Sequence, residues 1–357
     1  MKNTTKVILA LMLVFVLAFA FGCQSAPAPS EAPSDTPADE PADEPADEPA
    51  DEPAEAAGSY KIGLSMGELT SAFCEGLRNG VQAQCDELGY ECVYACADSD
   101  ATKQATQIED MISQGCDAVL CFATDTDAIV ASAKACQDEG GVFAEFSRIS
   151  TDLSAVDVAV GYDNKDQAYA CGQAILDSAK AAGYTEIKVL ELVGSLTDQN
   201  AIERQQYFNE FAEANGITVV QEIPTDWDKE KAYSGLKDAI TACSGDFNAI
   251  YCPSDTFFST CESVLTENDM YKGIGEEGHV IVVGIDGAGD AIKYVADSKF
   301  DMICNTDVIV LGKETVKYVV DILDNGATYD EAVMIEVGVI TPENANDETL
   351  WGNAITF

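Results

Sequence analysis

The sequence predicts an α/β fold made of two doubly wound lobes, each built on a sheet of parallel strands. From residue 60 onward, short β-rich runs alternate with segments of helical apolar spacing, which is the pattern of successive βα units. These units are too numerous for a single sheet of about five or six strands, the mean size. A chain of 357 residues is also long enough for two domains with separate cores. A β/α barrel of similar length is the competing fold.

The elements follow one another in two series. Strands are expected at 61–66, 91–95, 118–122 and 142–146, with helices at 73–88, 102–113 and 128–138. The second series has strands near 157–160, 187–193, 218–223, 249–252 and 280–285, with helices near 165–182, 201–215, 229–243 and 256–267. Because ligands bind beyond the carboxyl ends of parallel strands, two facing lobes would share one cleft. Such a protein captures its ligand by closing over it.

The charge and the scarcity of histidine exclude several classes of function. The chain has 63 acidic and 19 basic residues, a formal net charge of -44, which opposes binding to nucleic acid or anionic lipid. His279 is the single histidine, so a His-rich zinc site cannot form and a His-dependent triad would have to rest on this one residue. No phosphate-binding loop or EF-hand pattern occurs. The sequence therefore predicts no catalytic residues, no cofactor and no metal site.

The 13 cysteines are spread through the whole chain and include no C-x-x-C pair. Many lie among apolar neighbours, where cysteine behaves as a small hydrophobic residue. We therefore expect buried free thiols. Cys92 with Cys96, or Cys116 with Cys121, are the alternatives for a bridge or a soft-metal pair.

Residues 1–22 have the features of an export signal. Lys2 and Lys6 precede an uninterrupted apolar run at 7–21, which is shorter than the roughly 20 residues of a membrane span. The run ends at Gly22-Cys23, which resembles the lipobox of bacterial lipoproteins, so we expect lipidation of Cys23; ordinary signal cleavage is the alternative. Residues 23–59 follow as an acidic Pro/Ala/Asp/Glu linker with four copies of Pro-Ala-Asp-Glu, a composition typical of disorder.

Several short motifs occur in a characteristic order along residues 60–339. They are Ser71-Ala72-Phe73, Glu87-Leu88-Gly89-Tyr90, Gly161-Tyr162-Asp163-Asn164, Glu203-Arg204, Pro253-Ser254-Asp255 and Val282-Val283-Gly284-Ile285-Asp286-Gly287. In this order and spacing the chain resembles the type 1 periplasmic solute-binding proteins of the ribose and galactose type. The resemblance implies two discontinuous lobes joined by three crossovers, with 60–163 plus 306–336 in the first lobe and 164–305 plus 337–357 in the second.

The resemblance also implies which side chains contact the ligand. A sugar needs aromatic platforms for its C–H faces and polar groups at fixed angles for its hydroxyls. Phe73 and Trp227 match the stacking positions, Arg148 and Arg204 the donors, and Asp286 the acceptor, for which an Asx turn is the alternative role. The implied ligand-binding set is Phe73, Arg148, Arg204, Trp227, Ser254, Asp255, Asp286 and Asn305.

Two departures from the ribose-type pattern argue against ribose itself as the ligand. Ser147 stands where the pattern has an aspartate, and Ser71 and Cys74 replace an amide and a second aromatic.

Taken together, these features predict a non-enzymatic, lipid-anchored protein on the extracellular or periplasmic side of the cell membrane. It would bind a sugar or sugar-like solute for the permease of an ABC importer. The alternatives are a nucleoside, an autoinducer or a carboxylate as ligand, or a sensory protein that presents its ligand to a membrane receptor.

Overall fold

The computed structural model describes residues 59–354, which form twelve strands and ten α-helices. The first series is β1 (Lys61–Met66), α1 (Ala72–Leu88), β2 (Glu91–Cys96), α2 (Ala101–Ser113), β3 (Ala118–Phe122), α3 (Val130–Asp138), β4 (Val142–Phe146) and β5 (Val158–Tyr162). The second is α4 (Asn164–Ala182), β6 (Ile187–Val193), α5 (Gln199–Asn215), β7 (Ile217–Pro224), α6 (Lys229–Ala242), β8 (Ala249–Tyr251), α7 (Phe258–Glu267), β9 (Ile281–Asp286), α8 (Gly289–Ala296) and β10 (Met302–Asn305). The chain ends in α9 (Val308–Asn325), β11 (Val333–Ile335), β12 (Gly338–Ile340) and α10 (Trp351–Ala354).

The strands form two six-stranded sheets, one in each lobe. The first has the order β11-β5-β4-β3-β1-β2, and all its pairs are parallel. The second has the order β12-β10-β9-β8-β6-β7 and is parallel except at the edge strand β12. The chain passes between the sheets after β5, after β10 and after β11. The predicted class of two doubly wound lobes joined by three crossovers is confirmed, and we propose that the lobes divide at the boundaries given above.

Each sheet is covered by helices on both faces. In the first lobe, α1 and α9 contribute residues such as Leu77 to one apolar cluster, while α2 and α3 contribute residues such as Ile108 to another. In the second lobe, Phe208 packs on the α4 and α5 face and Leu236 on the face of α6 to α8. Central strands such as β3, β4 and β9 are therefore buried along their whole length, as expected for a sheet covered on both sides.

Aspartates begin many of the helices that follow the strands. The side chains of Asp163, Asp198, Asp228 and Asp307 accept hydrogen bonds from backbone N–H groups in the first turns of α4, α5, α6 and α9. A carboxylate at this position satisfies unpaired N–H groups and interacts favourably with the helix dipole. Part of the acidic surplus thus caps helices, and it places carboxylates at the carboxyl-end edges of the sheets.

The predicted signal peptide, Cys23 and nearly all of the predicted linker lie outside the described residues. Within 59–354, no helix combines the length and apolarity needed to cross a bilayer. The cysteines in this range are free, most of them buried, and they include Cys92, Cys96, Cys116 and Cys121.

Candidate functional site

A cavity of about 380 Å³ lies between the two lobes, at the carboxyl ends of their strands. The first lobe contributes Glu68 after β1, Phe73 at the start of α1 and Arg148 after β4. The second lobe contributes the largest set, from the ends of β6 to β9 and the helices that follow: Asp198, Asn200, Arg204, Asp226, Trp227, Asp228, Lys229, Ser254, Thr256 and Asp286. Six of the eight predicted ligand-binding residues therefore line one shared cavity.

Arg148 is held on all sides by protein groups. Its Nη2 donates to Glu68 Oε1 at 2.5 Å and its Nη1 donates to the carbonyl of Ala123 at 2.9 Å. Its Nε lies 2.8 Å from Asp198 Oδ2, which belongs to the other lobe, and the guanidinium carbon is 4.2 Å from the centroid of the Phe122 ring. Burial lowers the pKa of Arg148, but the charges of Asp198 and Glu68 outweigh it and raise the pKa. Arg148 is thus a fixed cation that connects the lobes.

Arg204 projects from α5 and is also oriented by neutral protein acceptors. Its Nε donates to Asn164 Oδ1 at 3.1 Å and to Gln167 Oε1 at 2.9 Å. Its Nη1 donates to the carbonyl of Pro253 at 2.7 Å. These contacts fix the plane of the guanidinium in a side chain that is 6% exposed. The remaining N–H groups of Arg204 are the ones left to meet a ligand or Asp286.

Asp286 carries a buried carboxylate oxygen with an unused acceptor capacity. It ends β9, with a φ of 117°, and its Oδ2 accepts a hydrogen bond from Ser254 Oγ at 2.6 Å. Its Oδ1 is buried without a partner among the described residues. Burial raises the pKa of Asp286 to about 6, against the opposing charge of Arg204. An oxygen of this kind costs roughly 1–3 kcal/mol unless a donor reaches it, so this atom favours a hydroxyl-bearing ligand.

Trp227 forms an aromatic wall that two neighbours hold in place. Its Nε1 donates to Asp198 Oδ2 at 3.1 Å, and its ring lies parallel to Phe257 with centroids 6.3 Å apart. A Cβ at Gly194 would lie 2.2 Å from the Trp227 ring, so only glycine allows this approach. Together with Phe73, Trp227 gives the cavity the apolar faces that a sugar ring requires.

Comparison with known proteins identifies the family. Residues 62–327 match the family model described as "Periplasmic binding protein domain", which is well over half of the chain. The chain belongs to this family of periplasmic binding proteins. The resemblance to the type 1 family of the ribose and galactose type is thereby confirmed. The sequence predicted a solute-binding protein and not an enzyme. The family assignment supports this prediction.

This binding protein has curated relatives and solved neighbours at modest identity. It is 25% identical over 264 residues to the ribose import binding protein RbsB of Bacillus subtilis, covering 74% of this chain and 82% of that protein. It is 28% identical over 238 residues to RbsB of Escherichia coli, and the alignment covers 67% of this chain and 76% of that protein. An ABC transporter solute-binding protein from Mycobacterium smegmatis with bound glycerol aligns with a TM-score of 0.73 at 25% identity, covering 81% of this chain and 96% of that one. An ABC transporter solute-binding protein from Bacillus halodurans with bound myo-inositol aligns with a TM-score of 0.72 at 22% identity, and the alignment covers 82% of this chain and 97% of that one.

Two predicted contact residues of this binding protein do not line the cavity. The Asp255 carboxylate turns to the backbone and accepts from the N–H groups of Gly287 and Ala288 at 2.8 and 2.7 Å. Burial, followed by the charge of Asp286, raises its pKa. Asn305 lies beside Gly287, with its Oδ1 unpartnered among the described atoms. The Asp255 carboxylate thus supports the turn after Asp286, and ligand contact by Asp255 and Asn305 stays a prediction.

Two acidic residues of the cleft were missed by the sequence analysis of this binding protein. Glu68 and Asp198 flank Arg148 from opposite lobes. Next to them, Asn200 Nδ2 donates to the carbonyl of Ser147 across the cleft at 2.8 Å. Asp198 has a sequence signal, because it follows a strand and opens a helix, but the same signal marks several capping aspartates elsewhere. Glu68 has only its position after the first strand.

Proposed function

We propose that this protein captures a neutral sugar or sugar-like polyol between its lobes and delivers it to the permease of an ABC importer. Its contact residues would be Phe73, Arg148, Arg204, Trp227, Ser254 and Asp286. In the same proposal, a lipid on Cys23 anchors the protein to the outer side of the cell membrane, facing the extracellular or periplasmic space. The curated relatives, which are named for ribose import, support this reading.

The observation that carries the proposal is the unpartnered Oδ1 of Asp286 in a cavity with aromatic walls. A hydroxyl group can donate to this oxygen and accept from the Arg204 guanidinium at the same time. The faces of Phe73 and Trp227 cover the C–H surface of a ring. A closed ring with several hydroxyls meets all of these requirements, whereas an apolar ligand leaves the carboxylate unpaired.

The charge of the cavity argues against a carboxylate ligand. Arg148 is already paired with two carboxylates, those of Glu68 and Asp198. Arg204 faces Asp286, so neither guanidinium offers an uncompensated positive charge. Lys229 also lines the cavity, but five carboxylates, those of Glu68, Asp198, Asp226, Asp228 and Asp286, line it with these three cations. A carboxylate ligand would therefore be desolvated among a surplus of negative charge. A neutral hydroxylated ligand carries no such penalty.

The experiment is calorimetric titration of the purified protein with a library of pentoses, hexoses, cyclitols, nucleosides and sugar acids. We expect a neutral carbohydrate to bind with a Kd in the micromolar range, which corresponds to a binding free energy of about 8 kcal/mol. Asp286→Asn should weaken this binding by roughly 10- to 100-fold, because the amide presents a donor where an acceptor is needed. Asp238→Asn, at an exposed carboxylate of α6 outside both cavities, is the matched control. Heat from sugar acids only, or from no carbohydrate, would overturn the assignment.

Anchoring and delivery need separate measurements. Radiolabelled palmitate should be incorporated into the protein in its own host, and Cys23→Ser should abolish the label and release the protein from membranes. Deleting the cognate permease should stop uptake of the solute if the protein serves an importer. Unchanged uptake together with a lost transcriptional response would favour the sensory role instead.

A further inference from the structure

A second cavity of about 560 Å³ adjoins the ligand-binding cavity and shares part of its lining. Six residues line both spaces: Thr70, Ser71, Phe73, Lys229, Ser254 and Thr256. Phe73, the expected stacking residue, therefore stands at the junction between them. We call the second space the side groove. Because the two spaces share these residues, a ligand in the main cavity lies next to the groove.

Phe258, Tyr271 and Tyr294 line the side groove, and Phe300 packs against all three rings from outside the lining. Tyr294 and Phe300 are stacked, with ring centroids 5.0 Å apart and an interplanar angle of 14°. Tyr271 meets Phe300 edge to face at 6.0 Å, and Phe258 does so at 4.9 Å. The Tyr294 hydroxyl donates to Glu262 Oε2 at 2.7 Å, which fixes its ring. Rings held in this way lose little freedom when a ligand packs against them.

Polar groups line the rest of the side groove. Lys299 Nζ lies 5.5 Å from the centroid of Tyr271, and Lys293 is paired with Asp290 at 2.7 Å. The hydroxyls of Thr256 and Ser259 line the same space. Donors and acceptors beside tyrosine rings suit a hydroxylated ring and not an alkyl chain. Like the main cavity, the groove combines aromatic rings with charged and hydroxyl groups.

We propose that the solute is a disaccharide, with one sugar ring in the main cavity and the second ring in the side groove. This inference rests on the proposed sugar binding and goes beyond it by setting the size and class of the ligand. The second ring packs against the tyrosine wall and bonds to the lysines and hydroxyls around it. The glycosidic bond lies at the junction beside Phe73.

The test is titration calorimetry with disaccharides and with their component monosaccharides. We expect the best disaccharide to bind at least tenfold more tightly than either component. Ser259→Trp places an indole in the groove from an exposed position of α7 and should weaken disaccharide binding at least tenfold while leaving monosaccharide binding within twofold. Ser263→Trp, also exposed and one turn further along α7 but outside the groove, is the matched control and should change neither.

The possible results separate the two proposals. If monosaccharides bind as tightly as every disaccharide, or Ser259→Trp changes neither affinity, the disaccharide inference is wrong and sugar binding stands. If nucleosides bind most tightly, the groove holds a base and the inference is overturned. If no carbohydrate binds, the proposed function fails and the inference fails with it.

Discussion

Glu191 should make this protein lose stability as the pH rises through neutrality. It lies in β6 with 0% of its surface exposed, and both carboxylate oxygens lack partners among the described residues. Tyr251, its neighbour in the register, also has an unpaired hydroxyl. Burial, followed by the negative charge of Glu222, raises the pKa of Glu191 from 4.5 to about 9. At neutral pH the folded protein therefore holds a proton there that the unfolded chain has released.

The size of the effect follows from proton linkage. A folded-state pKa above the unfolded value means that stability is fully present below about pH 4.5 and is lost as the pH rises toward 9. Each pH unit inside this window changes the free energy of unfolding by about 1.4 kcal/mol. Between pH 5 and 7 the contribution of Glu191 should thus fall by about 3 kcal/mol. Glu191→Gln removes this titration. Any change in the free energy of unfolding caused by the amide itself is the same at each pH and does not affect the comparison.

The assay is urea unfolding of the wild type and Glu191→Gln at pH 5, 6 and 7. We expect the stability difference between the two proteins to shift by about 3 kcal/mol in favour of the variant across this range. Comparing the two proteins cancels the titration of other groups, including the buried Glu145. Glu186→Gln, at an exposed position just before the same strand, is the control and should run parallel to the wild type. Parallel curves for Glu191→Gln as well would refute the reasoning.

The other predictions concern the cleft and the single histidine. Asp198→Asn removes the ion pair to Arg148 across the cleft and should increase the radius of gyration of the ligand-free protein by small-angle scattering; an unchanged radius would contradict an inter-lobe role. Trp227→Ala should weaken sugar binding by about 10- to 100-fold by calorimetry, and a Kd within twofold of the wild type would exclude stacking. Burial lowers the pKa of His279, but the hydrogen bond and the charge of Asp301 outweigh it and raise the pKa. Its stabilisation is present below pH 6.5 and is lost as the pH rises through the folded pKa, so the stability of His279→Gln should approach that of the wild type on going from pH 6 to 8 in urea unfolding. A constant difference would contradict this.

The architecture could be predicted because it depends on local patterns. The run 118–122 is apolar throughout, and the run 142–146 is apolar except for Glu145, as expected for buried parallel strands; both form strands with these bounds. The antiparallel edge strand β12 was not predicted. It is a three-residue strand with an exposed Val339, so its sequence carries neither the length nor the apolarity of the central strands. Its pairing is decided by the third crossover and not by its own residues.

The sequence pattern alone could place a site residue only where a strand end determines the position of its side chain. Arg148 lies two residues after β4 and Asp286 ends β9, so the edge of the sheet fixes where they lie. The positions of Phe73, Arg204 and Trp227 came from the resemblance to the family. Glu68 and Asp198 could not be recognised, because their role depends on how the lobes meet and no local pattern encodes that. Asp255 shows a second limit of local patterns: it is adjacent to the cavity residue Ser254, but its carboxylate accepts from two backbone N–H groups of the neighbouring turn.

The two arginines of the cleft relate the net negative charge of this chain to the ligand selection proposed above. The sequence has three arginines, and two of them, Arg148 and Arg204, line the cleft. In a protein with a net charge of -44, a cleft without these cations would bring several carboxylates together, and lobe closure would be opposed by their repulsion. The guanidinium of Arg148 removes this repulsion between Glu68 and Asp198, and Arg204 does so beside Asp286. The cavity therefore has little spare positive charge, and under the proposed function selection among solutes should depend on hydroxyl geometry and ring shape.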